Sequence, residues 1–460
     1  MVTKAPQPDQ MRPRSLVASA LDARRTSRVV DRLPLTLTAY QLLTRAATPF
    51  AAQILKHRLN RGKEHPARLP ERWGESRVPR PKGPLVWVHG ASVGEVTTVI
   101  PLVERIRKQD FAVLVTSGTV TSAMLAEHRM PAGAIHQFIP LDSPPFVTRF
   151  LNHWRPDLAL FVESDLWPNF IISTAQRGVP MILVNGRMSD RAFQNWRYLP
   201  GTIEALLKRF DLCLVRSTAD AERFGELGAP RLDTIGNLKL DVPELPVDEA
   251  KLTSLGTALA GRTIVAAAST HPGEEAAIID AHRELKPGFP GLLTILAPRH
   301  PERGGGVADI ATAAGLSPAL RSRGQLPERR TDVYVCDTVG ELGVIYRLAP
   351  IVFMGGSLIR HGGQNPVEAI KLGAAILHGP HVSNFAEIYA ALDRTRGAEL
   401  ITDASQLSAR LTAWLRDSEE RKRIVVAAQT TVEALGGALE RTSAALEPYL
   451  LQLRLRAQVR

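Results

Sequence analysis

From residue 84 onward, short apolar runs alternate with longer segments of mixed polarity. Runs at 85–89, 111–116, 135–139, 158–162, 181–184, 212–215 and 232–235 read as strands, and 96–109 reads as a helix. Most of these runs are continuously apolar rather than alternating, which is the pattern of strands covered on both faces. The intervening stretches are long enough for crossover helices, so the pattern predicts a parallel, doubly wound sheet. A second series, at 263–268, 292–296, 333–335, 351–354 and 375–378, begins after Pro243 and Pro246 interrupt the chain, and residues 405–453 read as consecutive helices. The expected fold class is therefore α/β, with two Rossmann-like doubly wound domains facing across a cleft that receives the C-terminal ends of both sets of strands.

Ahead of the first strand, the pattern changes. Residues 33–55 are mostly apolar, but Gln41, Arg45 and Gln53 interrupt them and Pro49 should bend any helix through them. A central Arg costs about 2.5–3.5 kcal/mol in a spanning helix, so spanning is disfavoured. Lying in a membrane interface is the expectation, because Lys56, Arg58, Arg61 and Lys63 follow directly. The competing expectation is a helix packed on the protein's own first domain. Residues 1–32 carry no sustained apolar period and show no secretory signal. The expected division is thus 1–60 as basic extension and amphipathic segment, 61–242 as the first domain, and 243–460 as the second with its C-terminal helices.

Composition sharpens this. A chain of 460 residues with 44% hydrophobic and 22% charged residues is ordinary globular material for two domains. The formal charge of +11 points to a polyanionic partner, yet residues 1–80 hold 16 basic against 6 acidic residues. The charge belongs to the N-terminal arm, and the remainder is close to neutral. Only 25 aromatic residues occur, without aromatic–basic interleaving, so nucleic acid is not expected as a partner. Cys213 and Cys336, each within an apolar run, read as buried strand thiols with no disulfide or metal spacing.

Several loops at strand ends carry candidate chemistry. Gly90-Ala-Ser-Val-Gly-Glu95 follows a strand and opens a helix, with Glu95 three residues after Ser92. That spacing fits a capping box as well as a catalytic carboxylate. Glu163 and Asp165 follow another strand, where acid/base work competes with Asp165 capping a helix and Trp167 packing. In the second series, His271 and Glu274 follow a strand, and Arg299 follows the next, with a planar fork suited to phosphate or carboxylate. Gly355-Gly356-Ser357 and Gly362-Gly363-Gln364-Asn365 lead toward Glu368 and offer a phosphate cradle, with a carboxylate placed for ribose hydroxyls.

Taken together, the stretches HGASVGEV, FIPLDSP, FVESDLWPNF, VNGRMSDRAF, STADAERFGELGA, GNLKLD, ASTHPGEE, APRHPER, DTVGELGVIY, FMGGSLIRHGGQNPVEAI and HGPHVSNF, from His89 to Phe385, closely resemble the bacterial 3-deoxy-D-manno-octulosonic acid (Kdo) transferases. The resemblance implies a GT-B glycosyltransferase that moves Kdo from CMP-Kdo to a hydroxyl of a lipid A precursor (lipid IVA), with inversion and with no metal or other cofactor. It implies Glu95 as general base and Glu163 as supporting carboxylate, with Ser92, Gly94 and Asp165 on the acceptor side. His271, Arg299, Gly355, Gly356, Ser357, Asn365 and Glu368 would serve the donor. It further implies an enzyme on the cytoplasmic side of a Gram-negative inner membrane, peripheral or N-terminally anchored on an anionic surface. The chain departs from the family pattern at Gln364, where His is usual, at Ala369, where Pro is usual, and at Ser164-Asp165, where Thr and Glu are usual. The alternative enzyme is another two-Rossmann sugar-nucleotide enzyme, an epimerase or a transferase using a UDP-sugar.

Overall fold

A computed structural model describes residues 32–241 and 244–459, so the basic arm expected over residues 1–31 lies outside the described residues. The chain forms two compact units, one of residues 1–241 with 437–460 and one of 242–436.

In the first unit, β1 (Leu85–His89), β2 (Ala112–Ser117), β3 (Ile135–Phe138), β4 (Leu158–Val162), β5 (Met181–Gly186), β6 (Leu212–Val215) and β7 (Leu232–Thr234) form one sheet in the order β3-β2-β1-β4-β5-β6-β7. Every pairing in it is parallel. Side chains alternate between faces along a strand, and here both faces are buried. Leu85 and Trp87 join a core with Phe150, Phe161 and Phe170, while Val86 and Val88 join another with Leu446 and Leu450. That two-sided burial is why the sequence runs are continuous rather than alternating.

The second unit repeats the scheme with β8 (Thr263–Thr270), β9 (Leu292–Pro298), β10 (Pro318–Leu320), β11 (Val333–Val335), β12 (Ile351–Met354), β13 (Ala375–His378) and β14 (Ala398–Leu400), in the order β10-β11-β9-β8-β12-β13-β14. Again all pairings are parallel. The strands β10 and β14 escape the sequence pattern because Pro-Ala-Leu and Ala-Glu-Leu hold no β-branched or aromatic residue, unlike the equally short Val-Tyr-Val of β11.

One expectation fails. The C-terminal helices do not all belong to the second unit: the last, Ala438–Val459, is part of the first. The reason is packing. Ala438, Leu446, Tyr449, Leu450 and Leu453 complete the core under Val86 and Val88, and Asp241 Oδ1 accepts from Gly437 N at 2.8 Å.

The segment ahead of β1 also packs on the first unit, with Leu37 and Leu55 buried. Pro49 lies in a single 3-10 turn, Thr48–Phe50, that separates helices Leu35–Ala46 and Ala51–Asn60. The first of these, with the 3-10 turn after it, crosses the N-terminal turns of three crossover helices. Thr36 Oγ1 meets Thr202 Oγ1 at 2.5 Å, Asn169 Nδ2 donates to Thr44 Oγ1 at 3.0 Å, and Thr48 Oγ1 meets Ser143 Oγ at 2.6 Å. Those turns lie at the same edge of the sheet as the strand C-termini. Along this whole segment Leu35, Leu42, Leu43, Phe50 and Ile54 remain exposed. No helix among the described residues is long and apolar enough to cross a membrane.

Asp142 anchors this helix, accepting from Tyr40 OH at 2.9 Å, Asn169 N at 3.2 Å and Phe170 N at 3.1 Å. Burial pushes its carboxyl up to about 6, above the ordinary value kept in the unfolded chain. Between about pH 4 and 6 the folded protein therefore holds a proton that the unfolded chain releases, and this group's contribution to stability falls as pH rises through that window. The carboxyl's rise corresponds to about 2–3 kcal/mol. Thermal unfolding across this range should show that slope in the wild type and lose it in Asp142→Asn; identical slopes would remove Asp142 as its source.

Candidate active site

In the first sheet the strand order reverses between β1 and β4, which is where open parallel sheets bind ligands. Both carboxylate-bearing loops issue from these two strands. After β1 the chain turns at Gly90, where a Cβ would come within 3.1 Å of Glu95 Cβ; glycine lets the helix Val93–Arg107 start tight against the strand end. Ser92 caps that helix, accepting from Glu95 N at 3.3 Å. Glu95 Oε1 accepts from Ser92 Oγ at 2.7 Å, and Oε2 from Ala91 N at 2.8 Å. Only half of a capping box is formed, because Glu95 takes Ala91 N and the Ser92 hydroxyl rather than Ser92 N; its carboxylate, tied to the cap in this way, is also the proposed base. Gly94 is exposed in the first turn.

After β4, Glu163 adopts a left-handed backbone with φ +60°, a strained choice for a residue with a side chain. Its Oε1 lies 2.6 Å from Lys239 Nζ. Lys239 was not singled out by sequence reasoning, because it arrives from a 3-10 turn after β7, 76 residues downstream, with no spacing relation to Glu163. Asp165 does not cap the next helix. Trp167 occupies the N-cap of Pro168–Gln176 without a capping side-chain bond, and it is exposed rather than packed. Asp165 Oδ2 instead lies 3.8 Å from Nε2 of the buried His89.

Three carboxylates therefore share one edge. Burial raises the Glu95 carboxyl above the ordinary glutamate value, and neighbouring Asp165 and Glu163 raise it further, against the bonds from Ser92 and Ala91. Asp165 is likewise raised by burial and by Glu163, with a bond from Trp167 pulling it back. A carboxylate made more basic at a sheet switch point is suited to taking a proton from a hydroxyl.

In the second unit the order reverses between β8 and β12. Gly355, Gly356 and Ser357 follow β12 here, but their backbone amides are not open to a phosphate. Gly355 N donates to Ala268 O. Gly356 N donates to Glu274 Oε2 at 2.7 Å, and Ser357 N and Leu358 N donate to Oε1 at 2.9 and 3.0 Å. Glu274 Oε2 also accepts from His271 N at 3.0 Å. The expectation of a free amide cradle at Gly355–Ser357 is corrected: a fully buried carboxylate from the next helix fills it. Gly355 is needed for close packing, since a Cβ would fall 2.4 Å from Ser269 O. Ser357 is fully buried, its hydroxyl accepting from Gly379 N at 2.8 Å and donating to Met354 O.

The groups left to face a ligand are side chains. His271 stacks on His361 with ring centroids 3.8 Å apart, stands 6.1 Å from His300, and has Nε2 3.4 Å from Gln364 Nε2. Burial, then the neighbouring cations, hold His271 down at about 4. The Arg299 guanidinium is exposed and makes no hydrogen bond or ion pair among the described residues. Arg303, by contrast, pairs with buried Glu275 at 2.7 Å. Asn365 caps its own turn, Oδ1 accepting from Val367 N at 3.1 Å, and Glu368 lies close enough to Tyr346 to raise its hydroxyl. His300 and His361 were not assigned from sequence, since they come from separate loops. Among the described residues, no group of three or more His, Cys, Asp or Glu is arranged to hold a metal ion.

A cavity of about 930 Å³ in the first unit lies at the opposite ends of β1, β4 and β5, beside Pro84, Asp157 and Pro180. Two of its arginines are occupied by helix-end carbonyls, Arg80 by Trp154 O and Arg177 by Ser173 O. The carboxylates are not there.

Residues 67–242 match the family model described as 3-deoxy-D-manno-octulosonic-acid transferase (kdotransferase). The chain is 35% identical over 370 residues to the 3-deoxy-D-manno-octulosonic acid transferase of Rickettsia bellii, covering 80% of this chain and 88% of that one. The chain belongs to the Kdo transferase family. The Haemophilus influenzae Kdo transferase is 34% identical over 393 residues, covering 83% of this chain and 91% of its own. This Kdo transferase also shares its fold with a glycosyltransferase from Rickettsia africae (TM-score 0.55, 10% identity, 80% of this chain and 99% of that one). A UDP-GlcNAc 2-epimerase from Neisseria meningitidis is similar to the same degree (TM-score 0.54, 11% identity, 79% and 99%). The α/β fold of two Rossmann-like units is thus that of GT-B enzymes.

Proposed function

We propose that this Kdo transferase moves Kdo from CMP-Kdo to a hydroxyl of a lipid A precursor, lipid IVA, with inversion and without a metal or other cofactor. The observation that carries the reading is Glu95, a half-buried carboxyl raised by Asp165 and Glu163 at the switch point of the first sheet. Glu95 takes the acceptor proton as the sugar transfers, and Glu163, paired with Lys239, supports it from the adjacent strand. On the donor side, Arg299 and the histidines His271, His300 and His361 meet the negative charge of CMP-Kdo, while Asn365 and Glu368 serve the nucleoside. The Gly355–Ser357 loop shapes that site through Glu274 rather than touching the phosphate through its amides. Product analysis by mass spectrometry after incubation with CMP-Kdo and a tetra-acylated precursor tests the whole reading. UDP-sugar consumption with no CMP release would overturn it.

We place the enzyme peripherally on the cytoplasmic side of a Gram-negative inner membrane. Support comes from the apolar outer side of the helix Leu35–Ala46, at the same sheet edge as Glu95, and from the basic residues after it. Burying each of Leu42, Leu43 and Phe50 in lipid is worth about 1.5–3 kcal/mol. The triple change to Ser is expected to lower partitioning onto anionic vesicles by at least 100-fold, measured by co-sedimentation, without altering the unfolding temperature by more than a few degrees. Unchanged partitioning would move the membrane contact elsewhere.

A further inference from the structure

Behind the carboxylate edge runs a buried polar chain that the reaction as described leaves without a role. Trp87, Thr116 and His89 are all fully buried. Trp87 Nε1 donates to Thr116 Oγ1 at 2.9 Å, and the same Oγ1 lies 2.9 Å from His89 Nδ1. An indole N–H can only donate, and the hydroxyl oxygen keeps a second lone pair, so Thr116 can either donate to Nδ1 or accept from it. The Thr116 carbonyl also bears on the ring and draws a proton toward Nδ1, whereas the ionised Asp165 carboxylate facing Nε2 can only accept. A proton on Nε2 suits both ends at once: Nδ1 then accepts from the Thr116 hydroxyl, and Nε2–H faces the carboxylate. That Nε2 is buried and has no hydrogen-bond partner, and Asp165 Oδ2, 3.8 Å away, is buried and has none either. A donor and an acceptor, each unsatisfied, face each other across slightly more than a hydrogen bond.

The chain is rigidly mounted. Trp87 lies against Phe150, Phe161 and Phe170 with ring centroids 5.1–5.7 Å apart, and His89 and Thr116 are register partners on β1 and β2. Arg72 on one side, and Asp165 with Glu163 and Glu95 beyond it on the other, are the charged groups bearing on His89 and its partner. Burial holds the imidazole down at about 4, so it is uncharged near neutral pH.

We propose that Trp87, Thr116 and His89 form a hydrogen-bond relay of fixed polarity that aims a neutral Nε2–H at Asp165 and so positions this carboxylate beside Glu95 for transfer. His89 and Thr116 are positioning residues: they act through Asp165, and closing the 3.8 Å gap is a shift of under about 1 Å, of the size that changes rates about 100-fold when lost. The inference rests on the reading of Glu95 as base.

Two measurements test it. In the full-length protein labelled with ¹⁵N-histidine, His89 should show a proton on Nε2 and a bare Nδ1; Thr116→Val, which keeps shape and removes the hydroxyl, should release that tautomer, and Thr116→Ser should restore it. In Kdo transfer, Thr116→Val should lower kcat by about 10–100-fold with KM for CMP-Kdo unchanged, and the same change should cost less than about 3-fold in an Asp165→Asn background, since coupled residues are not additive. A proton on Nδ1 in the wild type, a Thr116→Val enzyme with full kcat, or the same loss in both backgrounds would each overturn the relay. Should Thr116→Val fail to fold, His89→Gln in the same two backgrounds gives the same comparison. An active Glu95→Gln enzyme would remove the base while leaving the tautomer result standing, so the two failures are distinguishable.

Discussion

Glu95→Gln is expected to lower kcat for Kdo transfer by about 10²–10⁴-fold while leaving a folded enzyme. The substitution separates the two duties of this side chain. As the partner of the N-cap Ser92, Glu95 accepts from Ala91 N and from Ser92 Oγ. Glutamine can still accept from Ala91 N with its carbonyl oxygen and donate to Ser92 Oγ with its amide, so the cap survives nearly intact. What it cannot do is take a proton. Glu95→Ala, in contrast, loses cap and base together and should also cost about 1 kcal/mol of stability. The acid limb of kcat/KM should lie above the ordinary glutamate value, because burial and the charges of Asp165 and Glu163 raise the carboxyl. Asp165→Asn removes one of those charges and should move that limb down. CMP release in purified enzyme measures all three variants. A Glu95→Gln enzyme with full turnover would make the residue a helix cap and nothing more.

The parallel sheets were legible in the sequence because burial on both faces leaves continuous apolar runs, and every run from Leu85–His89 to Ala375–His378 became a strand. The edge strand Ala398–Leu400 was not, since Ala-Glu-Leu holds no β-branched or aromatic residue. The assignment of Ala438–Val459 to the first unit was hidden for a different reason. A helix with an apolar stripe states that it is buried, not against which sheet, and only the packing of Leu446 and Leu450 under Val86 and Val88 decides. The carboxylates were legible because each sits in the loop or first helical turn after its strand. Lys239, His300 and His361 were not, because pairing across separate loops leaves no trace in spacing. At Gly355–Ser357 the composition pointed to the wrong partner. Glycine after a strand announces backbone amides that approach something anionic, and the anion proved to be Glu274 of the protein itself.

That substitution of partner makes Glu274→Gln the second variant with a large expected effect. Glu274 is fully buried, and its two oxygens accept four backbone N–H groups, from His271, Gly356, Ser357 and Leu358. Glutamine keeps one acceptor oxygen and turns the other into an NH₂ facing two N–H donors. Each buried donor left unpaired costs about 1–3 kcal/mol, and breaking a buried charged network costs about 3–5 kcal/mol, so the second unit should lose roughly that much stability. The loss is local before it is global. The Gly356–Leu358 turn and the backbone of His271 are tied by this one side chain, so freeing it displaces His271 from His361 and Gln364, and affinity for CMP-Kdo should fall by more than about 10-fold, on the same scale of positioning cost. Thermal unfolding and calorimetric titration with CMP-Kdo measure both. A destabilised variant that binds the donor more tightly would show that the amides, once released, cradle the phosphate after all. A variant as stable as wild type would mean that the four bonds to Glu274 do not hold the loop.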